Sequence, residues 1–311
     1  MPHSCRSQYP LDRLSWVVSG SSVRYEYMAL RDCWTPPGAG LSVGRTHYPE
    51  DRGMQRSSRV DYDAIAPLYD SQPGREKSPD PALAAFLAER SAVGTALLLD
   101  IACGTGNQLV ANRAIAPSAR MVGFDGSLGM LRQARAKSAE IGWVHGDSSA
   151  LPFASGTFDF ASCQYALHHF RDKAGMVREA FRVLRTGGRL AIFNMCPHDS
   201  LDWLYYDYFP EALTRDLADF WPPEAIAAEM TAAGFADVVV DRDHRRYERN
   251  LATFLEGLRR RDRNSQLLTL SDAAYEAGLR RLESELADPS APRDRADHRC
   301  VVTVRGDPPL H

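Results

Sequence analysis

The stretch 96–106, ALLLDIACGTG, constrains this chain more than any other. An apolar run, Ala96 to Leu99, leads to Asp100 and then to Gly104 and Gly106. A short apolar run bounded by glycine reads as a buried, parallel strand. The glycines let the backbone turn tightly and approach a ligand. Residues 107–115 follow, with Leu109, Val110 and Ile115 among small residues, and suit a helix. Strand, glycine turn and helix in succession form the ligand-facing corner of a doubly wound α/β fold.

The type of corner is narrowed by what is missing. A dinucleotide fingerprint needs a third glycine, and Leu109 stands there. A P-loop needs Gly-Lys-Ser/Thr, and no lysine follows Gly106. Instead an acid precedes the glycines, in Asp100-Ile-Ala102-Cys103-Gly104-Thr-Gly106. A carboxylate at that point repels a pyrophosphate and suits a cationic ligand. This pattern resembles motif I of class I S-adenosylmethionine-dependent methyltransferases, D/E-x-G-x-G-x-G, with Ala102 in place of the first glycine. An alanine there implies a position that does not need positive φ.

Further segments follow at matching intervals. Residues 120–125, RMVGFD, read as a second strand ending in Asp125, roughly twenty residues past the glycine turn, where a doubly wound fold places its ribose-binding acid. A carboxylate accepts hydrogen bonds on both oxygens and suits a diol. Gly126-Ser127 opens a helix with Ser127 as N-cap and Met130 in its first turn. This is similar to the family's D-x-S-x-x-M segment, in which the methionine packs on the adenine. Residues 141–144 are a short third strand before GDSSALPF, 146–153. That stretch resembles the family's G-D-A-x-x-L-P-F, which implies that Asp147, with Ser148 beside it, faces the adenine amino group. The fourth strand, 158–163, ends at Gln164, expected over the cofactor; the family's F-D-x-V-x-S reads FDFASC here. LRTGGRL, 184–190, matches L-K-P-G-G-x-L with Thr186 for proline, between a helix over 172–184 and a fifth strand over 189–194.

Upstream, residues 60–70, VDYDAIAPLYD, put Tyr62, Ile65 and Tyr69 on one helical face. They are similar to the Y-D-x-x-A-x-x-Y-D entry helix of small-molecule methyltransferases. That resemblance implies a lid whose tyrosine, here Tyr69, contacts the cofactor; a plain packing role for both tyrosines is the alternative. A helix is expected over 81–90. His168 and His169 lie just past the fourth strand, at the crevice edge of an open α/β sheet. Either has a pKa near working pH for a general base. The alternative is that one packs and the other bonds backbone. The N/D-P-P-Y loop of base-methylating enzymes is absent, since Ser162 to Tyr165 reads SCQY.

Two insertions are expected, near 196–220 and 245–290. The first carries Trp203, Tyr205, Tyr206, Tyr208, Phe209, Phe220 and Trp221, which read either as a roof over the acceptor or as helical core. The second carries helical periodicity near 251–260 and 272–287. Arg242, His244, Arg245 and Arg246, together with the arginines of 259–263, are interleaved with acids and read as a solvated helix face. Helix 222–233 closed by Gly234, a sixth strand over 235–241 and a seventh over 298–304 complete the pattern.

Residues 1–55 lack any period and include WTPPGAG. They read as a disordered tail, or as sequence ahead of a start near Met54; a docking element built on Trp16, Tyr25, Tyr27 and Trp34 is the alternative. A net charge of -3 gives no nucleic-acid footprint. The six cysteines have no C-x-x-C spacing, which argues against a disulfide framework or zinc site, and no metal is expected. No signal peptide or membrane-length apolar run is evident. The expectation is therefore a cytoplasmic protein, monomer or homodimer; the resemblance implies a class I domain over 56–311 with strand order 3-2-1-4-5-7-6, the last strand antiparallel.

By the resemblance, the cofactor is S-adenosylmethionine, held by Tyr69, Asp100, Ala102, Cys103, Gly104, Gly106, Gln108, Asp125, Gly126, Met130, Asp147, Ser148 and Gln164. The acceptor is a small molecule offering O, N or C. An RNA or protein methyltransferase, or a non-catalytic S-adenosylmethionine-binding protein, is the rival reading.

Overall fold

Alternate residues of the central strands are apolar in both directions, and helices cover both faces of the sheet they form. The computed structural model describes residues 60–72, 74–89, 96–261 and 265–309; the expectation for residues 1–55 lies outside them. Seven strands run in the order β3-β2-β1-β4-β5-β7-β6. They are β1 (Leu97–Ile101), β2 (Arg120–Asp125), β3 (Gly142–His145), β4 (Phe158–Gln164), β5 (Leu184–Met195), β6 (Ala236–Asn250) and β7 (Asp294–Asp307). Strands β1 to β5 are parallel, and β7 runs antiparallel to both β5 and β6, as expected.

One core contains Leu99, Ile101, Phe124, Val177, Leu190, Ile192 and Val304, packed under α5 (Lys173–Val183) and α8 (Pro223–Ala233). The other contains Leu98, Met121, Phe160 and Ala191 with Leu83 and Phe86 of α2 (Pro81–Ala88), Leu109 of α3 (Asn107–Asn112) and Leu131 of α4 (Leu128–Lys137). Neighbours such as Leu98 and Leu99 thus serve opposite faces. Fully burying a side chain of this size stabilises by about 1.5–3 kcal/mol. Local chemistry sets the helix ends: Ser127 Oγ accepts from Met130 N–H, and Gly234, at φ 109, closes α8.

Several boundaries differ from expectation. Helix α5 ends at Val183, and β5 begins at once through a bulge in which Gly187 takes φ 67. Strands β6 and β7 extend well past the sheet as a two-stranded ribbon, with Asn250 paired to Asp294. Arg242 to Arg246 therefore lie on a strand, not a helix face. Every residue from Asp241 to Glu248 is exposed, so no buried face imposes an apolar alternation on this stretch.

The second insertion accordingly starts at 251. It contains α9 (Leu251–Leu258), α10 (Ser265–Leu268) and α11 (Asp272–Ala287). These pack against α6 (Leu204–Tyr208) and α7 (Pro210–Asp219) of the first insertion. Trp203, Tyr205, Tyr206, Tyr208 and Phe209 are buried in that third core with Leu251, Leu255 and Leu282. Gly278 leaves the space that the Phe209 ring fills. These aromatics are helical core. Among the described residues, no helix is long and apolar enough to cross a membrane.

Candidate active site

The site is built on the carboxyl ends of β1, β2 and β4. Asp100, near the end of β1, is buried and accepts from Ser162 Oγ of β4 at 2.8 Å. Burial pushes its carboxyl up to about 7, with the Ser162 hydrogen bond opposing and the nearby Asp80 reinforcing the rise. Asp125 ends β2. Its Oδ2 accepts the Gly104 N–H at 2.8 Å and its Oδ1 the Ser127 N–H at 2.8 Å. Burial raises its carboxyl too, against those two hydrogen bonds. The parallel register of β1 and β2, with Ile101 opposite Phe124, brings Asp100 and Asp125 to the same edge of the sheet.

The turn between β1 and α3 holds three positive-φ residues: Ala102 at 60, Gly104 at 55 and Gly106 at 77. The expectation that Ala102 needs no positive φ is thereby corrected. A left-handed alanine costs roughly 1–2 kcal/mol, and such strain persists where the surroundings over-determine it. Cys103 N–H donating to Phe124 O at 3.1 Å pins the same turn to β2. The two glycines do different things. A Cβ on Gly106 would strike the Trp143 ring of β3 at 2.4 Å, whereas a Cβ on Gly104 meets nothing within 4 Å. Gly106 is small for packing, and Gly104 leaves open space.

Helix α1 (Tyr62–Tyr69) is tied down at three points. Asp63 Oδ1 accepts from Ser127 Oγ at 2.9 Å and from Gly129 N–H at 2.6 Å, at the N-terminus of α4. Asp70 accepts from Thr105 Oγ1 at 2.6 Å and Asn107 Nδ2 at 2.9 Å, and pairs with Lys137 at 2.6 Å. Tyr62 Oη lies 2.7 Å from His169 Nε2. Tyr69 accepts from Arg75 Nη1 at 2.8 Å. Burial raises both tyrosines, and the Asp125 charge reaches both rings. Of these anchors, Asp63 and Asp70 were quoted only as letters of a resemblance; nothing in their spacing revealed partners more than 60 residues away for Asp63 and 30 for Asp70.

The remaining expected residues separate. Met130 is buried behind the Ser127 cap. Gly126 O lies 3.2 Å from His145 Nε2. Asp147 is exposed beyond β3, its Oδ1 accepting from the Ser149 N–H and Oγ at 2.8 Å, with Ser148 half-buried beside it. Gln164 Nε2 donates to Asp80 Oδ2 at 3.0 Å, while Asp80 Oδ1 caps α2. Asp80 was missed by the sequence reading because its cap role hides its second oxygen. Gln108 turns away from the crevice: its amide donates to Ser78 O at 3.0 Å and Asn112 Oδ1 at 2.9 Å.

The two histidines are not poised near working pH. Burial, with Lys173 nearby, lowers His169 to about 4, and burial lowers His168 well below its ordinary value. The His168 ring stacks on Phe220 at 3.9 Å between centroids, and its Nδ1 is buried with no hydrogen-bond partner.

Comparison with known proteins matches this geometry. A family described as "Methyltransferase domain" matches residues 99–192. The demethylmenaquinone methyltransferase of Roseiflexus sp. is 32% identical over 218 residues, covering 61% of this chain and 89% of that protein. The demethylmenaquinone methyltransferase of Thermus thermophilus is 32% identical over 162 residues, covering 45% and 74%. Among solved structures, a protein described as a methyltransferase from an antibiotic biosynthesis pathway of Anabaena variabilis superposes with a TM-score of 0.57 at 19% identity, over 72% of this chain and 97% of its own. Phosphoethanolamine N-methyltransferase 2 of Haemonchus contortus, solved with S-adenosyl-L-methionine, gives 0.50 at 20% identity over 80% and 57%; both of these are likenesses of fold. With the glycine turn and the strand-end acids inside the matched segment, this chain belongs to the class I S-adenosylmethionine-dependent methyltransferases, enzymes whose cofactor is S-adenosylmethionine.

Proposed function

We propose that this methyltransferase acts on a nucleophilic carbon of a small aromatic acceptor of the demethylmenaquinone kind. The observation that carries the reading is the alignment with a demethylmenaquinone methyltransferase over 89% of that protein's length. The arrangement of the crevice supports it. Asp125 spends one lone pair of each oxygen on backbone and keeps others for the two hydroxyls of a ribose. The open space beside Gly104 fits the methionyl end of the cofactor, with Ala102, Cys103 and Gly106 shaping the turn. Asp100 and Gln164 stand by the cationic amino group, Gly126 and Met130 by the adenine, and Asp147 and Ser148 at the outer adenine edge. Gln108 is left out, since its amide braces the approach to α2.

Bound there, S-adenosylmethionine supplies a methyl group on a sulfonium sulfur, open to in-line attack. The chain's own contribution is to position the acceptor and exclude water. Tyr62 and His169 form a neutral pair facing the crevice from the lid and from the end of β4. When the Tyr62 hydroxyl moves off, the neutral His169 Nε2 accepts a hydrogen bond from an acceptor hydroxyl and so orients the ring carbon beside it. Tyr69 closes the lid over the cofactor. The class I domain over 56–311 carries this chemistry.

The test is incubation of the full chain with S-adenosylmethionine and demethylmenaquinol, with mass spectrometry of the product. The expected product carries a new carbon-bound methyl. A methyl found on oxygen or nitrogen, or no product from a chain that still binds the cofactor, overturns the acceptor assignment.

A further inference from the structure

At the root of the β6–β7 ribbon, three strands and a turn bring together residues that have no spacing pattern in sequence. Cys196 N–H donates to Cys300 O at 2.9 Å, which places Cys196, just past β5, opposite Cys300 of β7. On the other side of β7, His244 of β6 is the ladder partner of Cys300. Directly paired residues of an antiparallel ladder share a face, so Cys196, Cys300 and His244 form one row across three strands. The 3-10 turn Pro197–Asp199 then folds Asp199 over this row.

The cysteine sulfurs and an Asp199 carboxylate oxygen all lie within 4.8 Å of one another, and Cys196 Sγ is 3.3 Å from Asp199 Oδ2. Both thiols are unbridged and fully buried, while Asp199 is on the accessible side. Asp199 and His244 both line one cavity of about 350 Å³, together with Asp202, His298, Arg245, Arg246 and Arg299.

We propose that Cys196, Cys300, Asp199 and His244 form a binding site for a borderline-soft divalent ion of the zinc class. Two thiolates, an imidazole and a carboxylate are a tetrahedral zinc donor set. Zinc–sulfur bonds of about 2.3 Å need sulfurs about 3.8 Å apart, within the 4.8 Å that bounds the ligand atoms of this cluster. His244, exposed and in register, turns its ring inward to complete the set. Each cysteine gives up its thiol proton as its sulfur bonds to the ion, and two protons leave to solvent. The ion with two thiolates and one carboxylate carries one excess negative charge, which faces the Arg242 guanidinium, bonded to Asp199 Oδ2 at 2.9 Å. The role of the ion is to clamp the ribbon to the sheet.

The test uses the full chain, reduced, stripped with chelator and titrated with Co²⁺. The expected result is one Co²⁺ per chain, with intense tetrahedral bands in the visible and a sulfur-to-cobalt band in the near ultraviolet, both bleached by Zn²⁺. Cys196→Ser and Cys300→Ser each remove the sulfur band. Asp199→Asn and His244→Ala, at exposed positions that folding tolerates, each weaken Co²⁺ binding by at least about tenfold. A pale octahedral spectrum, a sulfur band that survives both serine variants, affinity unchanged in Asp199→Asn and His244→Ala, or a Cys196–Cys300 disulfide in the chain purified with zinc present would each overturn the proposal.

Discussion

Asp125 grips two backbone amides, one from the glycine turn and one from the cap of α4, and so ties both to the end of β2. Replacing it with alanine removes the proposed ribose acceptor and loosens the turn together. A ligand at a hundred times its Kd raises stability by about 2.7 kcal/mol. In Asp125→Ala, most of the rise in melting temperature with S-adenosylhomocysteine should vanish, as a thermal-shift titration reads directly. Asp100 makes a prediction in pH. Its folded pKa, raised to about 7, lies above its unfolded value. Between about pH 4 and 7 the native state therefore binds the extra proton, and stability falls as pH rises through that window, then levels off. Cofactor binding has the opposite slope: a cationic ligand favours the ionised carboxylate, so affinity should climb up to about pH 7, and the climb should flatten in Asp100→Asn. Isothermal titration across pH checks both curves. Ala102→Gly relieves a left-handed alanine of roughly 1–2 kcal/mol and adds glycine's flexibility of about 0.5–1 kcal/mol. The variant should be between neutral and about 1.5 kcal/mol more stable in urea unfolding, not less. At this scale the acids were legible because strand ends announce themselves as an apolar run, an acid and a glycine. The φ of Ala102 was not, since a residue's identity does not reveal what its neighbours force on it.

Helix α1 shows what pattern reading reaches and where it stops. Periodicity picked out its inward face, Tyr62, Ile65 and Tyr69, but the ties that hold the helix come from its outward acids. In Asp63→Ala combined with Asp70→Ala, the lid loses its anchors on α4 and on the glycine turn. The expected outcome is a severalfold faster dissociation of the cofactor by stopped flow, with far-UV circular dichroism unchanged. The ribbon failed differently: an exposed, charged two-stranded element carries no alternation for a period to detect. The buried aromatics of α6 were ambiguous because a pocket wall and a core are made of the same side chains. Gly278→Ala would push a methyl into the Phe209 ring. Overpacking of this kind costs about 1–3 kcal/mol, and calorimetry should show the loss.

At the level of the whole molecule, the strand order was readable through the family resemblance carried by the strand-end motifs, and the structure has that order. The long-range ion pairs were not. Arg189 of β5 forks onto Asp307 at 2.7 and 2.8 Å and onto Glu89 at 3.1 and 2.8 Å, joining the end of β7 and the end of α2 to the middle of the sheet. Its side chain is 10% exposed, its partners more so, at 30% and 52%. Arg189→Met should lower stability by about 1–3 kcal/mol, less than a fully buried pair would.

The mounting of the second helical insertion has an evolutionary reading. Everything from 251 to 293 hangs between two facing rungs, Asn250 and Asp294, at the far tip of a hairpin. A lineage can therefore shorten, lengthen or exchange that cargo, provided its oily underside finds cover, without disturbing a single hydrogen bond of the parallel strands.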